Sequence, residues 1–444
     1  SSSINGHLYV RGQPEDYNQW AQLGNTGWGY DDILPYFKKS EFKENGDGKY
    51  RGKNGPLFVS DIVEKHPLCE EFIESSKEIG ASIQEDYNAG NQEGIFYYQR
   101  TIKNGTRFSA YDAFLKPAIK RKNVKVTTNT IVLKIIFKEK KAIGLLCEKN
   151  KKQFKIFANK EIILCAGAIG TPHLLQVSGI GHSNYLKNIG IQIIHENKNV
   201  GEGLQDHYAV RVSNSINLPI TLNEKARGYK LFLEIMKWFV LKKGLISYSP
   251  AHVGAFLKSS PEIDLPDLQF VFTPASYTEG MIGKLQNIPG ITCGVWQSRP
   301  QSRGYVRALS SHIKDAPLIQ PNYLKETIDQ DVLIQGVKIC RDLLKTSKMK
   351  KISIKETLPG ENIKTDSEIL NFIKNNGATV YHAIGSCRMG IDKDAVVDAN
   401  LKLNGVENLR VADASIMPTM PSGNTNAATL MIAEKASDLI KKDM

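Results

Sequence analysis

VADASIMPTMPSGNTNAATLMIAEKA (411–436) is the last patterned stretch of the chain. Proline, serine and glycine hold its first half as a loop. After Gly423-Asn424 the pattern turns helical over about 425–441, with Ala427, Leu430, Met431, Ala436, Leu439 and Ile440 facing inward. The first turn of such a helix presents unpaired N–H groups and the positive end of the helix dipole. Upstream, VYHAIGSCRMG (380–390) places His382 between a helix and a glycine-containing loop. That helix is read in TDSEILNFIKNNG (365–377): Thr365 and Glu368 form a capping box, and Gly377 takes the C′ position. Before it, DQDVLIQGVKICRDLLKT (329–346) repeats Leu333, Val337, Cys340 and Leu344 on one inner face. An imidazole titrating near neutrality can take a proton, and an amide beside it can hold the same oxygen without competing. A lone histidine in such a place is more often structural.

Further upstream, KEIILCAGA (160–168) reads as a strand with Cys165 as a buried thiol. GTPHLLQVSGIG (170–181) reads as a short helix with Pro172 near its start and Gly179 at its end. KVTTNTIVLKIIF (125–137) is a β-branched strand. It leads into KEKKAIGLLCEKNKKQFKIFANK (138–160), an exposed hairpin with eight lysines. Residues 30–39 and 66–81 read as helices, the second with Leu68, Phe72 and Ile73 on one side. GEGLQD (201–206) has two glycines and no third, and acidic and amide residues follow, so it reads as a loop and not as a phosphate-binding turn. KLFLEIMKWFVLKKG and DLQFVFTPAS set a different rhythm in 208–299.

With 444 residues the chain suggests about two or three domains. Its charge is basic, 58 Lys+Arg against 46 Asp+Glu, but much of the excess sits in the lysine-rich hairpin. That run lacks the interleaved aromatics and arginines of a nucleic-acid surface, so no nucleic-acid partner is expected. Six scattered cysteines without C-x-x-C indicate neither a zinc site nor a disulfide framework. His173, His207 and His252 complete the tempting histidines. The first two lack metal-ligand spacing and read as structural. LFLEIMKWFVL (231–241) is the longest apolar candidate, and Glu234 and Lys237 interrupt it, so no membrane span is expected.

Three stretches resemble the glucose–methanol–choline (GMC) oxidoreductase family: SSSINGHLYVRGQPEDYNQW (1–20), GAIGTPHLLQVSGIG (167–181) and the ending quoted above. NGTRFSAYDAFLKPA (104–118), NVGEGLQDHY (199–208) and SRPQSRGYVRALSS (298–311) match between them, in family order. Residues 1–40 look most like its animal glucose-dehydrogenase-like branch, typical of insects. The resemblance implies an α/β plus α+β fold. An FAD-binding Rossmann-like domain is joined to a substrate domain built on an antiparallel sheet and helices. The regions expected are 1–207 for the flavin, 208–299 for the substrate, and 300–436 for the catalytic His/Asn and the final flavin-facing helix. The chain opens inside the family's first pattern, so the opening βαβ unit with G-x-G-x-x-G is expected to be missing. Weak FAD binding and an open sheet edge beside Ile162–Cys165 follow as expectations.

The implied activity is oxidation of a CH–OH donor, an alcohol or sugar, with hydride passing to flavin and quinone or oxygen as acceptor. The alternative is a catalytically inactive truncated homologue, a binding module or gene-model fragment. His382 is the implied base, in a protonation range near that of an ordinary histidine, and Asn424 its partner. Many relatives carry a second His where Asn424 stands. Ser1, Asn5, Gly6, His7 and Leu8 match the segment along the isoalloxazine and ribityl chain. Val132 matches the residue that meets the adenine. Asp413 and Ala414 match the segment beside the phosphates and ribityl, and Asn424 and Thr425 the helix start facing the flavin. Ile4 stands where some relatives bond a His to the flavin, so the FAD is expected to be non-covalent. An extracellular location is favoured by the resemblance alone.

Overall fold

The computed structural model describes residues 1–278 and 284–444. An antiparallel sheet of seven strands organises one half of the structure. Its order is Ser353–Leu358, Tyr208–Ile216, Gly290–Gln297, Leu268–Thr273, Val253–Leu257 and Gly94–Tyr97, with Ala378–Thr379 also pairing Tyr208–Ile216. Period-two alternation gives the sheet two different faces. Leu268, Phe270 and Phe272, with Ile291, Cys293 and Val295, point into an apolar core. Helices Pro67–Ser76, Thr327–Lys345 and Asp366–Asn376 cover that face, with Phe72 stacked on Phe272 at 4.0 Å. Gln269 and Trp296 alternate to the opposite face, where the candidate site lies. Strands come from all three regions read in the sequence, which therefore interleave in space.

A second core gathers helices Tyr30–Ser40, Gly167–Val177 and Thr425–Lys442 around Trp20, Trp28, Leu175, Met431 and Ile432. Strands Ile162–Leu164 and Leu409–Val411 pair in parallel beneath them. The lysine-rich hairpin is Lys141–Lys149 with Lys152–Phe157, and every residue of the latter is exposed.

Several expectations shift. The 125–137 strand begins only at Thr130, and 160–168 shortens to Ile162–Leu164. Cys165 consequently leaves the strand's alternation and is exposed, not buried. It still sits in a recess, where burial by surrounding protein, and then Asp413, push its thiol up to about 11. The GEGLQD segment is not a plain loop: Glu202–Leu204 is a strand pairing Gly304–Arg307, with an irregular register that hides it from pattern reading. Pro172 lies in the middle of its helix, which begins at Gly167. A proline there removes the donor to Ala168's carbonyl. The Ser386 hydroxyl supplies the replacement at 2.6 Å. Helix Asp366–Asn376 has the expected capping box, but Gly377 is not left-handed. A Cβ there would come within 2.2 Å of the Tyr208 ring, so close approach sets the residue type.

Candidate active site

Elements far apart in sequence bring His382 against His207 and Asn424. His382 follows the Ala378–Thr379 strand, and Asp206 Oδ1 accepts from its backbone N–H at 2.8 Å. The same carboxylate accepts from the hydroxyls of Tyr323 and Thr379, which pins the loop. His382 Nδ1 lies 2.9 Å from His207 Nδ1, and His382 Nε2 lies 3.0 Å from Asn424 Nδ2. His207 Nε2 lies 2.8 Å from the Ser298 carbonyl.

These contacts settle the protons. A carbonyl only accepts, so His207 Nε2 carries the hydrogen and its Nδ1 is a bare acceptor. His382 Nδ1 must then donate to it. That leaves the lone pair of His382 on Nε2, where the Asn424 amide N–H points. The tautomer is assigned from the hydrogen-bond network. Gln269 Nε2 donates to Asn424 Oδ1 at 3.2 Å and to the Tyr98 hydroxyl at 2.9 Å. The Asn424 amide is thereby held by its oxygen as well as its nitrogen. Burial holds the His382 imidazole well below the usual histidine range, and the neighbouring His207 adds to this. The expectation of an ordinary histidine ionisation is therefore corrected: desolvation keeps the ring neutral.

His207, read as structural, is the hydrogen-bond partner of His382. It stands 175 residues from His382, so no local spacing could show the contact. Gln269, Tyr98 and Trp296 were also missed. Trp296 has its ring 6.3 Å from that of His382. The available signal was a polar or amphipathic residue alternating with apolar ones in a strand. His173 stays apart on helix Gly167–Val177, buried, with Nε2 unpartnered. A surface cleft of about 440 Å³ is lined by Tyr208, Asn322, Tyr323 and Lys374.

The residues expected to face FAD form two groups. Ser1, Asn5, Gly6, His7 and Leu8 lie in an irregular segment clamped by Arg107, which donates to the Ser2 carbonyl and to both oxygens of Asn5. His7 has φ 66, its Nδ1 is buried without a partner, and burial lowers its pKa to about 4. Asn424 and Thr425 start the closing helix. Gly423 lets the chain pass Val10 so closely that a Cβ would sit 2.4 Å from its methyl. The second group surrounds the start of helix Gly167–Val177. Asp413 Oδ2 accepts from Gly167 N and Thr171 Oγ1, and Asp413 Oδ1 accepts from Ser415 N. Ala414, next to Asp413, accepts from Gly385 N at 3.3 Å. Val132, on strand Thr130–Lys138, is half-buried against the second core and touches neither group of polar contacts.

These residues fit a bound FAD. Cys165 and Ala166 are exposed in a recess, and a Cβ on Gly167 would meet nothing within 4 Å. The N-terminus of the closing helix has no side-chain cap, because the Asn424 amide is engaged by His382 and Gln269. Its first N–H groups and dipole are free to face an electron-rich ring.

Comparison with known proteins agrees. GMC oxidoreductase family models match residues 1–209 and 300–433. Human mitochondrial choline dehydrogenase is 38% identical over 444 residues, covering 99% of this chain and 74% of the relative. Alcohol dehydrogenase [acceptor] of Pseudomonas putida is 38% identical over 453 residues, covering 100% and 81%. An FAD-dependent oxidoreductase structure from Chaetomium thermophilum superposes with a TM-score of 0.91 at 25% identity, covering 100% and 85%. The chain therefore belongs to the GMC oxidoreductase family of FAD enzymes.

Proposed function

We propose that the protein oxidises a neutral alcohol, with His382 as the general base. One observation carries this reading: the His207–His382–Asn424 line leaves the single lone pair of His382 on Nε2, in contact with an amide N–H. A substrate hydroxyl entering there donates its proton to Nε2. The Asn424 Nδ2–H then donates to the substrate oxygen and steadies its developing charge. FAD, when bound, supplies the acceptor for the hydride leaving the carbon. His207 holds the His382 ring in the productive tautomer throughout. Quinone or oxygen is the final acceptor in this reading.

The polar groups in hydrogen-bond contact with His382 and Asn424 side chains are neutral among the described residues: His207, Gln269 and each other. Gln269 Oε1 and Trp296 Nε1 are buried without protein partners and are suited to reading a substrate's own polar groups. Such a site accepts an uncharged alcohol, and the Trp296 ring beside His382 makes choline the charged alternative to test. The wording of residues 1–40 supports a sugar as the second substrate class to try. For FAD we assign Ser1, Asn5, Gly6, His7 and Leu8 along the ring and ribityl chain, and Val132 to the adenine. Asp413 acts by clamping Gly167 and the Ala414 turn, since its carboxylate is already engaged. The N-terminal amides at Thr425 face the ring. Ile4 offers no nucleophile, so the cofactor is non-covalent. The test is reduction of FAD-loaded protein by simple alcohols, glucose and choline, in the parent and in His382→Ala. Loss of reduction in the variant supports the reading, and retained reduction contradicts it.

A further inference from the structure

Helix Gly228–Leu241 carries a broad apolar face outward. None of its residues is buried. Tyr229, Phe232, Leu233, Met236, Phe239 and Val240 recur at helical spacing on one face, and each is between 45% and 73% exposed. Glu234 and Lys237 turn towards the protein beside the half-buried Leu231, Ile235 and Trp238. Glu234 accepts from Leu245 N at 2.8 Å, Lys237 pairs with Glu64, and Trp238 Nε1 donates to the Gly105 carbonyl at 2.8 Å. Glu64 also accepts from Gly244 N at 3.0 Å. A surface helix of a soluble protein normally has the reverse arrangement. Val63, beside Glu64, and Ile246, on the turn Leu245–Ser247 packed on the helix, extend the apolar face.

Among the described residues, the exposed charges on and next to this helix are lysines. Lys230, Lys242 and Lys243 are exposed, whereas Glu234 and Glu64 are engaged from within. A second copy packed antiparallel on the helix would bring Lys230 of one towards Lys242 and Lys243 of the other, which like-charge repulsion opposes. An anionic surface complements the face. The helix is only ~21 Å long at 1.5 Å per residue. No helix among the described residues is long and apolar enough to cross a membrane. A short helix with apolar and aromatic residues on one side and lysines at its ends suits the plane of a bilayer interface.

We infer that this face docks onto the surface of an anionic phospholipid bilayer. Phe232 and Phe239 enter the acyl boundary, and the lysines meet the headgroup phosphates. The helix rests on the Gly105 turn of the hairpin whose Arg107 grips Ser2 and Asn5. Docking would therefore hold that segment near the membrane, but binding itself needs no catalysis.

The experiment floats the full chain with vesicles of phosphatidylcholine alone, or phosphatidylcholine mixed with phosphatidylglycerol, at low and high salt. Parent protein should float with the anionic vesicles and lose affinity with salt. Phe232→Ser and Phe239→Ser should each weaken binding by about tenfold, and the triple Lys230→Gln/Lys242→Gln/Lys243→Gln variant should abolish the preference for anionic lipid. Unchanged melting curves confirm that these exposed changes leave the fold intact. Failure of the parent to float, or flotation unaffected by the serine changes, overturns the inference. So does a parent dimer in solution that the serine changes dissociate, which would assign the face to a second copy.

Discussion

His382 keeps its lone pair because His207 takes the other ring hydrogen and Ser298 fixes the state of His207. The sign of the pH dependence follows. The proposed mechanism needs the neutral ring, and burial lowers its pKa well below 6.5. Turnover should therefore be flat across neutral pH and fall only in acid. Asn424→Asp places a carboxylate beside Nε2 and raises that pKa. Its acid limb should move towards neutrality in a profile of kcat/KM against pH, with lower activity throughout. An unmoved limb would show that residue 424 does not sense the base. His382 and Asn424 were legible because each sits in a distinctive segment beside a readable helix. His207 was not: an adjacent Asp206-His207 pair says nothing of a partner 175 residues away. Gln269 was hidden for another reason. Strand DLQFVF reads correctly as a strand, but only the sheet's second face shows where its polar residue goes.

Among elements, the long amphipathic helices were readable because burial follows the 3.6-residue period. Thr327–Lys345 buries Leu333, Val337, Cys340 and Leu344, all four as read. Helix Gly228–Leu241 had an equally clear period, yet its apolar side faces outward, which periodicity cannot tell. The short strands Ile162–Leu164 and Glu202–Leu204 were misjudged because tertiary pairing, not local pattern, defines them. Pro172 shows how one element depends on another. Its missing N–H leaves the Ala168 carbonyl to Ser386. Ser386→Ala should strip a buried acceptor of its partner and destabilise the protein by about 1–3 kcal/mol. Denaturant unfolding should show a lower midpoint at unchanged slope. An unchanged midpoint would mean that the helix tolerates the unpaired carbonyl.

Across the whole molecule, burial penalises histidine charging repeatedly. His7 is lowered to about 4 and His252 to about 3, and His66, His173, His195, His207 and His382 are lowered as well. Desolvation is the first cause in every case. The unfolded chain then binds more protons than the folded one below 6.5, so stability is full above that value. It is lost as pH falls from 6.5 through the folded values, about 4 for His7 and about 3 for His252. Thermal midpoints in that window should decline steadily with acid. A constant midpoint from 6.5 down to about 4 would contradict this burial. The two-core architecture was foreseen through family resemblance more than through pattern. The interleaving of its three regions was not, because sheet order depends on pairings between residues such as Ile95 and Ala255 that no local window contains.

The most direct test is the rate of flavin bleaching when FAD-loaded protein meets an alcohol it oxidises, without oxygen or another acceptor. Removing a general base costs about 10²–10⁴-fold. His382→Ala should slow bleaching by that factor while substrate affinity changes little, and His173→Ala should alter stability without slowing it. Bleaching at the parental rate in His382→Ala, with loss in His173→Ala, would place the base elsewhere.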